Sequence, residues 1–157
     1  MAITQAMTTS FKAEILLAVH DFRNTGGDTF KLALYTSSAT IDANTTAYTA
    51  SGEVTGTNYT AGGGSLTNGG VTATNGSSST GTGFTTFSNL TFSNATITAR
   101  GALIFNTTPS ANGTANTTLT NASVAVLDFG SDKTSTAGDF TIIFPANNSS
   151  SAIIRIA

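Results

Sequence analysis

The feature that most constrains this chain is an alternation of side-chain character with a period of two, running from residue 28 onward. In FKLALYT (30–36), Phe30, Leu32 and Leu34 fall on one side of an extended backbone. Six further segments have the composition of strands: 64–74, 84–92, 95–106, 118–130, 138–145 and 151–157. Turn-forming residues separate these segments every 8 to 15 positions. This rhythm predicts a mainly β chain, an antiparallel β-sandwich or jelly-roll-like barrel, rather than a doubly wound α/β fold.

Residues 10–22, SFKAEILLAVHDF, carry the one helical pattern of the sequence. Phe11, Ile15 and Val19 recur every four residues and form an apolar stripe on one helix face. Ser10 is placed to act as the N-cap, and a Gly-containing turn follows the segment. We therefore expect one N-terminal amphipathic helix whose stripe packs on the sheet or docks on another chain. Phe11, Ile15 and Val19 are our predicted interface residues.

The sequence predicts a single β-rich domain, residues 10–157, preceded by a flexible arm at 1–9. The arm has no core of its own, and we expect it to become ordered on binding. The segment 61–83 is rich in Gly, Ser and Thr, as a linker between two domains would be. We favour a hairpin with long tips there, because Leu66 and Val71 need burial.

Only 14 of the 157 residues are charged, six Lys or Arg and eight Asp or Glu. A net charge of −2 without a basic cluster argues against nucleic-acid binding, and a mean hydropathy of +0.11 argues against disorder. No apolar stretch reaches the roughly 18 residues that a membrane span needs. The first ten residues do not have the pattern of a secretory leader. Without cysteine, the chain has neither disulfides nor thiolate metal ligands.

The few charges are unevenly distributed along the chain. None falls between Glu53 and Arg100 or between Arg100 and Asp128, intervals of 46 and 27 residues. A partner covers a surface of hydroxyls and amides at lower desolvation cost than a charged surface, and interface centres are depleted of charge. Strand edges without Lys or Pro also invite pairing. Both points predict a protein that works assembled, rather than a monomer with an unusually neutral surface.

His20 is the only histidine, and Asp21 follows it. Neighbours on a helix point about 100° apart, so we do not expect a dyad and interpret His20 as a helix-surface or interface residue. A Ser-His-Asp triad assembled by the fold stays open as an alternative, although no G-x-S-x-G elbow is present. The glycines at 62–64 are not followed by a Lys, which indicates a turn rather than a phosphate loop. We expect no enzymatic activity and no cofactor.

Asp128, Asp132 and Asp139 cluster around DFGSDKTSTAGD. Carboxylates in a loop bind Ca²⁺ in many proteins, but this spacing matches no EF-hand, and Lys133 opposes a cation. We favour a solvated turn with local hydrogen bonds and no metal site, and the calcium alternative stays open. The tripeptide DFG lacks the accompanying kinase motifs and indicates a strand end.

A carbohydrate- or host-surface-binding module is the alternative from a different functional class. An all-β chain rich in Asn and Thr suits such a role, and sugars commonly stack on Trp or Tyr rings. This chain has no Trp, and its three tyrosines are Tyr35, Tyr48 and Tyr59.

Four segments resemble small structural proteins encoded in the virion modules of tailed bacteriophages and prophages. They are KLALYTSSATIDANTTAYTASGEVTGTNYTAGG (31–63), ATITARGALIFN (95–106), SVAVLDFGSDKTSTAGDFTIIFP (123–145) and AIIRIA (152–157). The likeness runs over roughly residues 28–157 and is carried by the overall pattern rather than by a functional motif.

The resemblance implies a non-enzymatic virion component, first of all a head decoration (cement) protein. Such a protein would be a homotrimer that sits between capsomers and binds the major capsid protein. It would be made in the host cytoplasm and lie on the capsid surface of the virion. The alternative within the virion class is a tail, adaptor or fibre-associated subunit. No catalytic residue is carried over by the resemblance.

Overall fold

The computed structural model describes residues 2–74, 81–111, 114–115 and 118–157. These residues form one helix and ten strands, in chain order β1 (Ala6–Met7), α1 (Thr9–Leu16), β2 (Phe30–Tyr35), β3 (Gly64–Ser65), β4 (Thr72–Thr74), β5 (Thr82–Thr85), β6 (Leu90–Asn106), β7 (Ser110–Ala111), β8 (Thr114–Ala115), β9 (Ala122–Ile142) and β10 (Ile154–Ile156).

The strands assemble into three antiparallel sheets. Five strands form the largest sheet in the order β1-β9-β6-β2-β3, three form a second sheet in the order β10-β5-β4, and β7 pairs with β8. The prediction of a mainly β chain with antiparallel sheets is confirmed. None of the sheets built from the described residues closes on itself.

Two long strands dominate the largest sheet, β6 with 17 residues and β9 with 21. They pair from Leu90 opposite Ile142 at one end to Asn106 opposite Ala122 at the other. Several register shifts interrupt the pairing, so the two strands form a long, bulged ribbon rather than a flat ladder.

This β6–β9 pair divides into two halves. Residues 101–106 of β6 and 122–128 of β9 form the inner half, which β2 flanks on one edge and β1 on the other. Residues 90–100 and 129–142 form the outer half, where no described strand pairs with the edge of β9 that faces away from β6. The sheet is therefore enclosed at one end and open along an edge at the other.

The separate strands predicted at 118–130 and 138–145 are joined in β9, so the prediction of a turn between them is wrong. Register shifts in the pairing absorb the extra residues of this stretch, and Gly130 (φ 75°) and Ala137 (φ 47°) adopt left-handed conformations within it. The turn-forming residues therefore make bulges inside a continuous strand. The DFG tripeptide likewise lies within β9 and not at a strand end.

The inner half is buried on both faces of the sheet. On β2, Phe30, Leu32 and Leu34 belong to one apolar cluster, while Ala33 and Tyr35 belong to a second cluster. All five side chains are fully buried. The alternation in this strand therefore separates two cores from each other, and it does not separate core from solvent.

The N-terminal residues pack against the sheet, which corrects the prediction of a flexible arm at 1–9. Ile3 is 6% exposed and forms a bridge with Ile41, and β1 pairs with β9. Thr8 is fully buried and occupies the helix N-cap position that we predicted for Ser10. The edge of β9 offers unpaired backbone groups at this point, and the N-terminal segment satisfies them.

The helix is shorter than predicted, because α1 ends at Leu16, six residues before the expected end. Ala18 adopts a left-handed φ of 54°. Its N–H donates to the carbonyl of Ile15 at 3.0 Å, and the N–H of Val19 donates to the carbonyl of Glu14 at 3.0 Å. This pair of bonds is the Schellman helix ending, built here on Ala instead of the usual Gly.

The segment 61–83 contributes strands to both larger sheets, since β3 pairs with β2 and β4 pairs with β5. The hairpin prediction required both Leu66 and Val71 to be buried. Leu66 is buried at 8% exposure, but Val71 is 61% exposed. The predicted tip at 75–80 lies outside the described residues.

Candidate functional site

His20 is a buried side chain and not the surface residue that the sequence predicted, since its side chain has 0% exposure. Its Nε2 lies 2.7 Å from Oε2 of Glu14 on α1. Its Nδ1 lies 3.0 Å from Nδ2 of Asn106 at the end of β6. An amide nitrogen only donates, so Nδ1 of His20 is the acceptor and Nε2 carries the proton that is donated to Glu14. Both ring nitrogens are therefore occupied by structural partners.

Asp21 is engaged with Arg23 rather than with His20. The Arg23 guanidinium donates to both carboxylate oxygens of Asp21, and the Arg23 backbone N–H donates to Oδ1 at 3.0 Å. The side-chain hydrogen bond from Arg23 holds the pKa of Asp21 below its ordinary value. The sequence neighbours thus belong to different interactions, and they do not form a catalytic dyad.

Asp28 is the centre of the network that contains His20. Its Oδ2 accepts from Nδ2 of Asn106 at 2.7 Å and from the backbone N–H of Asp21 at 2.9 Å. Its Oδ1 accepts from the hydroxyl of Ser110 at 2.8 Å. Because Ser110 donates to Asp28 and not to His20, the cluster lacks the pairing of nucleophile and base on which a serine triad depends.

The network ties together segments that are far apart in sequence. Through His20, Asp28 and Asn106 it links α1, the segment before β2, the end of β6 and β7. Within the described residues, no buried side-chain nitrogen or oxygen lacks a hydrogen-bond partner. A buried polar network with all its groups satisfied favours one packing arrangement, so this geometry acts as a structural clamp.

A second network gathers the tyrosines around Glu53. Tyr48 donates to Oε2 of Glu53 at 2.6 Å, and Tyr59 donates to Oε1 at 2.8 Å. The backbone N–H of Gly62 also donates to Oε1, at 2.7 Å. The Glu53 carboxylate therefore holds the loops that follow β2 in place through these hydrogen bonds.

A carbohydrate site would use the rings of the three tyrosines, and these rings pack against other parts of the protein. Tyr48 stacks on Phe105 at a centroid distance of 4.9 Å, Tyr59 packs on Phe92 at 5.2 Å, and Tyr35 is fully buried. Burial, followed by the hydrogen bond to the neighbouring carboxylate, raises the pKa of Tyr48 to about 12. Burial is also the main cause that raises the pKa values of Tyr35 and Tyr59. Tyr48 and Tyr59 are half-buried, so both rings use part of their stacking surface in contacts that stabilise the fold.

The helix stripe predicted as an interface lies largely in the core. Phe11 is fully buried, Val19 is 3% exposed and Ile15 is half-buried. The helix ends early, and the left-handed residue that follows it directs the chain back onto the sheet, so the stripe continues as core packing. We therefore reassign Phe11 and Val19 to the core. The exposed apolar residues at this end are Leu16 (87%) and Leu17 (68%).

The aspartates considered as calcium ligands are engaged in separate interactions. Asp128 pairs with Arg100 at 3.3 Å, and Oδ1 of Asp139 accepts from the backbone N–H of Asn94 at 3.2 Å. Asp132 is exposed on the bulged part of β9. In the part of the chain that the structure describes, no group of three or more His, Cys, Asp or Glu side chains is arranged to hold a metal ion.

A groove of about 610 Å³ follows the free edge of β9 in the outer half. Phe140, from the buried face of the strand, and Thr141, from the exposed face, both line it. Lys133 and Asp139 are charged residues of its wall, and Ile143 is 77% exposed beside them. The groove therefore combines apolar surface, charge of both signs and an unpaired strand edge, which are features of protein–protein contacts.

The exposed face of the outer half is formed by threonines. Ile97 is buried on the opposite face, while the hydroxyls of Thr91 and Thr141 lie 2.9 Å apart, as do those of Thr98 and Thr134. The threonines of each cross-strand pair satisfy each other's hydroxyls, so these pairs add polar but uncharged surface to the face. A cavity of about 300 Å³ beside it is also lined mainly by threonines.

Sequence reasoning missed the groove, although one signal for it was present. In FTIIFP, Ile142 and Ile143 are adjacent apolar residues, and consecutive side chains of a strand point to opposite faces. Ile142 takes the buried position, so Ile143 is forced outward. Two adjacent apolar residues in a strand therefore indicate an apolar side chain on the exposed face, where another protein surface can bury it.

Comparisons with protein-family models, with curated proteins and with solved structures identify no match to this chain. Among the described residues, no helix has the length and apolar character needed to cross a membrane.

Proposed function

We propose that this chain is a non-enzymatic structural subunit of a tailed-phage virion that acts as a head decoration, or cement, protein. In this role a symmetric homo-oligomer, which the sequence resemblance suggests is a trimer, binds the major capsid protein at the capsid surface after synthesis in the host cytoplasm. Each copy adds a modest contact energy, and simultaneous engagement of several copies makes the shell resistant to rupture.

The observation that carries the proposal is the uncharged stretch 90–99 of β6 in the outer half of the β6–β9 pair. Residues 90–99 contain no charged side chain, and their exposed residues are Thr, Ser and Asn, among them Thr91 and Thr98 with paired hydroxyls. Such a face loses little solvation energy when another protein covers it. The adjoining groove on the free edge of β9 adds apolar surface. Together they form a broad area suited to contact with other chains.

The placement of the titratable groups also supports a structural role. Glu14, His20 and Asp28 belong to the first network, and Glu53 belongs to the second. None of these four residues lines either of the two cavities described above. The groups most suited to acid–base chemistry are thus used to connect distant segments of the chain.

For the architecture, we propose that the two larger sheets pack face to face as a β-sandwich. The supporting observation is that Ile154 of β10 belongs to the same buried cluster as Leu32 of β2 and Ile104 of β6. Nuclear Overhauser contacts between the Ile154 methyl groups and side chains of β2 or β6 test this arrangement. A full assignment in which Ile154 contacts only its own sheet would contradict it.

Immunogold electron microscopy of particles produced by the genome that encodes the chain tests the proposed function. Label spread over the head lattice supports a decoration protein. Label confined to the tail or fibres supports the alternative virion role and contradicts head decoration. Absence of label from the particles contradicts both virion roles.

A binding experiment with matched variants tests the threonine face directly. Particles that lack the chain are incubated with purified protein and then heated, and we expect the wild-type protein to raise the temperature at which they rupture. Thr91→Asp together with Thr98→Asp places charges on the face, and we expect this variant to fold normally but bind weakly. Thr91→Ser with Thr98→Ser keeps the hydroxyls and should bind like the wild type. Equal binding by all three proteins would show that another surface contacts the capsid.

A further inference from the structure

The groove on the free edge of β9 carries one cation and one anion without an ionic partner in the described part of the chain. Lys133 donates to the hydroxyl of Ser131 at 2.9 Å, and Asp139 accepts from the backbone N–H of Asn94 at 3.2 Å. Neither takes part in any of the salt bridges formed by the described residues. Both side chains are exposed. One unpaired charge of each sign on the same surface makes that surface complementary to a copy of itself.

We propose that the groove is a contact between two copies of this chain, related by a two-fold axis near Thr136. Lys133 and Asp139 each lie three residues from Thr136, on opposite sides. An antiparallel two-fold arrangement therefore sets Lys133 opposite the partner's Asp139, and the reverse pair forms at the same time. The inference rests on the proposed role as an assembling subunit, and it names the surface through which two copies meet.

Two apolar residues that line the groove are also placed symmetrically about Thr136. Phe129 and Ile143 each lie seven residues from Thr136, again on opposite sides. Ile143 is 77% exposed, and half-buried Phe129 lines the groove. The two-fold axis therefore brings the exposed Ile143 of one copy to the region of the partner's Phe129. Covering both side chains removes apolar surface from water at each end of the contact.

The bulge at the centre of this surface determines how the copies meet. Ala137 has a left-handed φ of 47°, and its N–H donates to the hydroxyl of Thr96 at 2.9 Å. A bulge of this kind interrupts the regular array of backbone groups along a strand edge. The copies therefore meet through side chains on either side of the bulge and not through one continuous sheet. Because a two-fold contact is closed, this surface joins copies two at a time, and the three-fold contact of the proposed trimer uses a different surface.

Charge-reversal substitutions at Lys133 and Asp139 in the full chain test the proposed two-fold contact. We measure self-association by sedimentation equilibrium for the wild type, Lys133→Asp, Asp139→Lys and the double variant. Each single substitution sets like charges opposite each other at both ends of the contact, so we expect self-association to weaken by about tenfold or more. The double variant restores both pairs in reversed polarity and should recover most of the wild-type affinity.

An apolar variant and a matched control complete the experiment. Ile143→Asp should abolish the pairing, whereas Leu17→Asp, at an exposed apolar position outside the groove, should leave it unchanged. A monomeric wild type, an oligomer that none of the groove substitutions affects, or a double variant as weak as the single ones overturns the proposal. Groove substitutions that reduce capsid binding but not self-association overturn it as well, and identify another protein as the occupant. Immunogold labelling of the head is an independent measurement, so failure of this contact is distinguishable from failure of the proposed function.

Discussion

The inner and outer halves of the β6–β9 pair belong to the same two strands but bury their residues differently. In the inner half, neighbouring strands flank both edges and apolar clusters cover both faces. In the outer half, one face is apolar and buried, the other presents threonine hydroxyls, and the edge of β9 is open. The inner half is thus part of the folding core, while the outer half extends a surface from it.

A continuous strand can therefore have different roles along its length. The residues of β6 change from alternating burial over 91–99 to unbroken burial over 101–106. The change coincides with the start of pairing to β2. If stability resides in the inner half and surface function in the outer half, substitutions in the two halves should differ in their effects.

The largest effect is expected from loss of core volume in the inner half. Ile104 is fully buried, and Ile104→Ala should lower the free energy of unfolding by about 2–5 kcal/mol. The control in the outer half is Thr98→Ala, which removes an exposed hydroxyl and should change stability by less than about 0.5 kcal/mol. Urea denaturation of both variants measures the difference. Comparable losses at the two sites would remove the distinction between the halves.

The next largest effect is expected from the polar clamp at the end of the inner half. Asn106 is fully buried and donates to Asp28, and it also contacts Nδ1 of His20. Asn106→Ala leaves Nδ1 of His20 without a partner and removes one of the two hydrogen bonds to Oδ2 of Asp28, and a buried unsatisfied group costs about 1–3 kcal/mol. Thermal unfolding followed by circular dichroism measures the loss. A variant as stable as the wild type would show that water or a rearranged side chain replaces the amide.

Alkaline pH should destabilise the tyrosine network beside the inner half. The pKa of Tyr48 is raised from 10.0 to about 12, and those of Tyr35 and Tyr59 are also raised. Because the folded state binds these protons more tightly, their contribution to stability is complete below pH 10 and is lost as the pH rises toward 12. Denaturation at a series of pH values should show this decline. Tyr48→Phe should make it less steep, and an unchanged slope in that variant would exclude Tyr48 as a source.

The smallest effects are expected from two glycine substitutions, with opposite signs in the two halves. Ala137 in the outer half has a left-handed φ of 47°, so Ala137→Gly relieves strain and should stabilise the protein by about 0.5–1 kcal/mol. Ala102 in the inner half is fully buried in a regular strand, so Ala102→Gly should destabilise it by about 1 kcal/mol. Differential scanning calorimetry of the two variants measures both changes in stability. The same sign at both positions would contradict the bulge at Ala137.

Sequence reasoning located most strands but not how they join. FKLALYT was predicted as a strand and is one, because its alternation and turn boundaries are local properties. DFGSDKTSTAGD (128–139) has the composition of a turn, yet it lies within β9, because pairing with β6 over a long distance outweighs a local turn preference. The helix prediction at 10–22 failed at its C-terminal end because the left-handed Ala18 carries no sequence signal comparable to Gly.

The candidate sites likewise have some features that the sequence predicts and others that depend on residues far apart in the chain. The shortage of charge and the resulting neutral surface are properties of composition, and the sequence alone predicts them. The partners of His20 were not predictable, because Asn106 is 86 residues away from it in the chain. The interface assigned to Phe11 and Val19 was misplaced for a related reason. An amphipathic stripe shows that a face will be covered, but not whether the chain itself or another protein covers it.

The amino-acid sequence is enough to predict a mainly β, antiparallel chain with few charged side chains. Alternation, turn residues and composition act over short distances, so they are readable without a structure. The folded chain is needed to show which half of the β6–β9 pair is enclosed, which strand edge stays open and which charges of the described residues lack an ionic partner. Those outcomes depend on which distant segments satisfy the same backbone groups and cover the same apolar faces, and that selection is made by the fold as a whole.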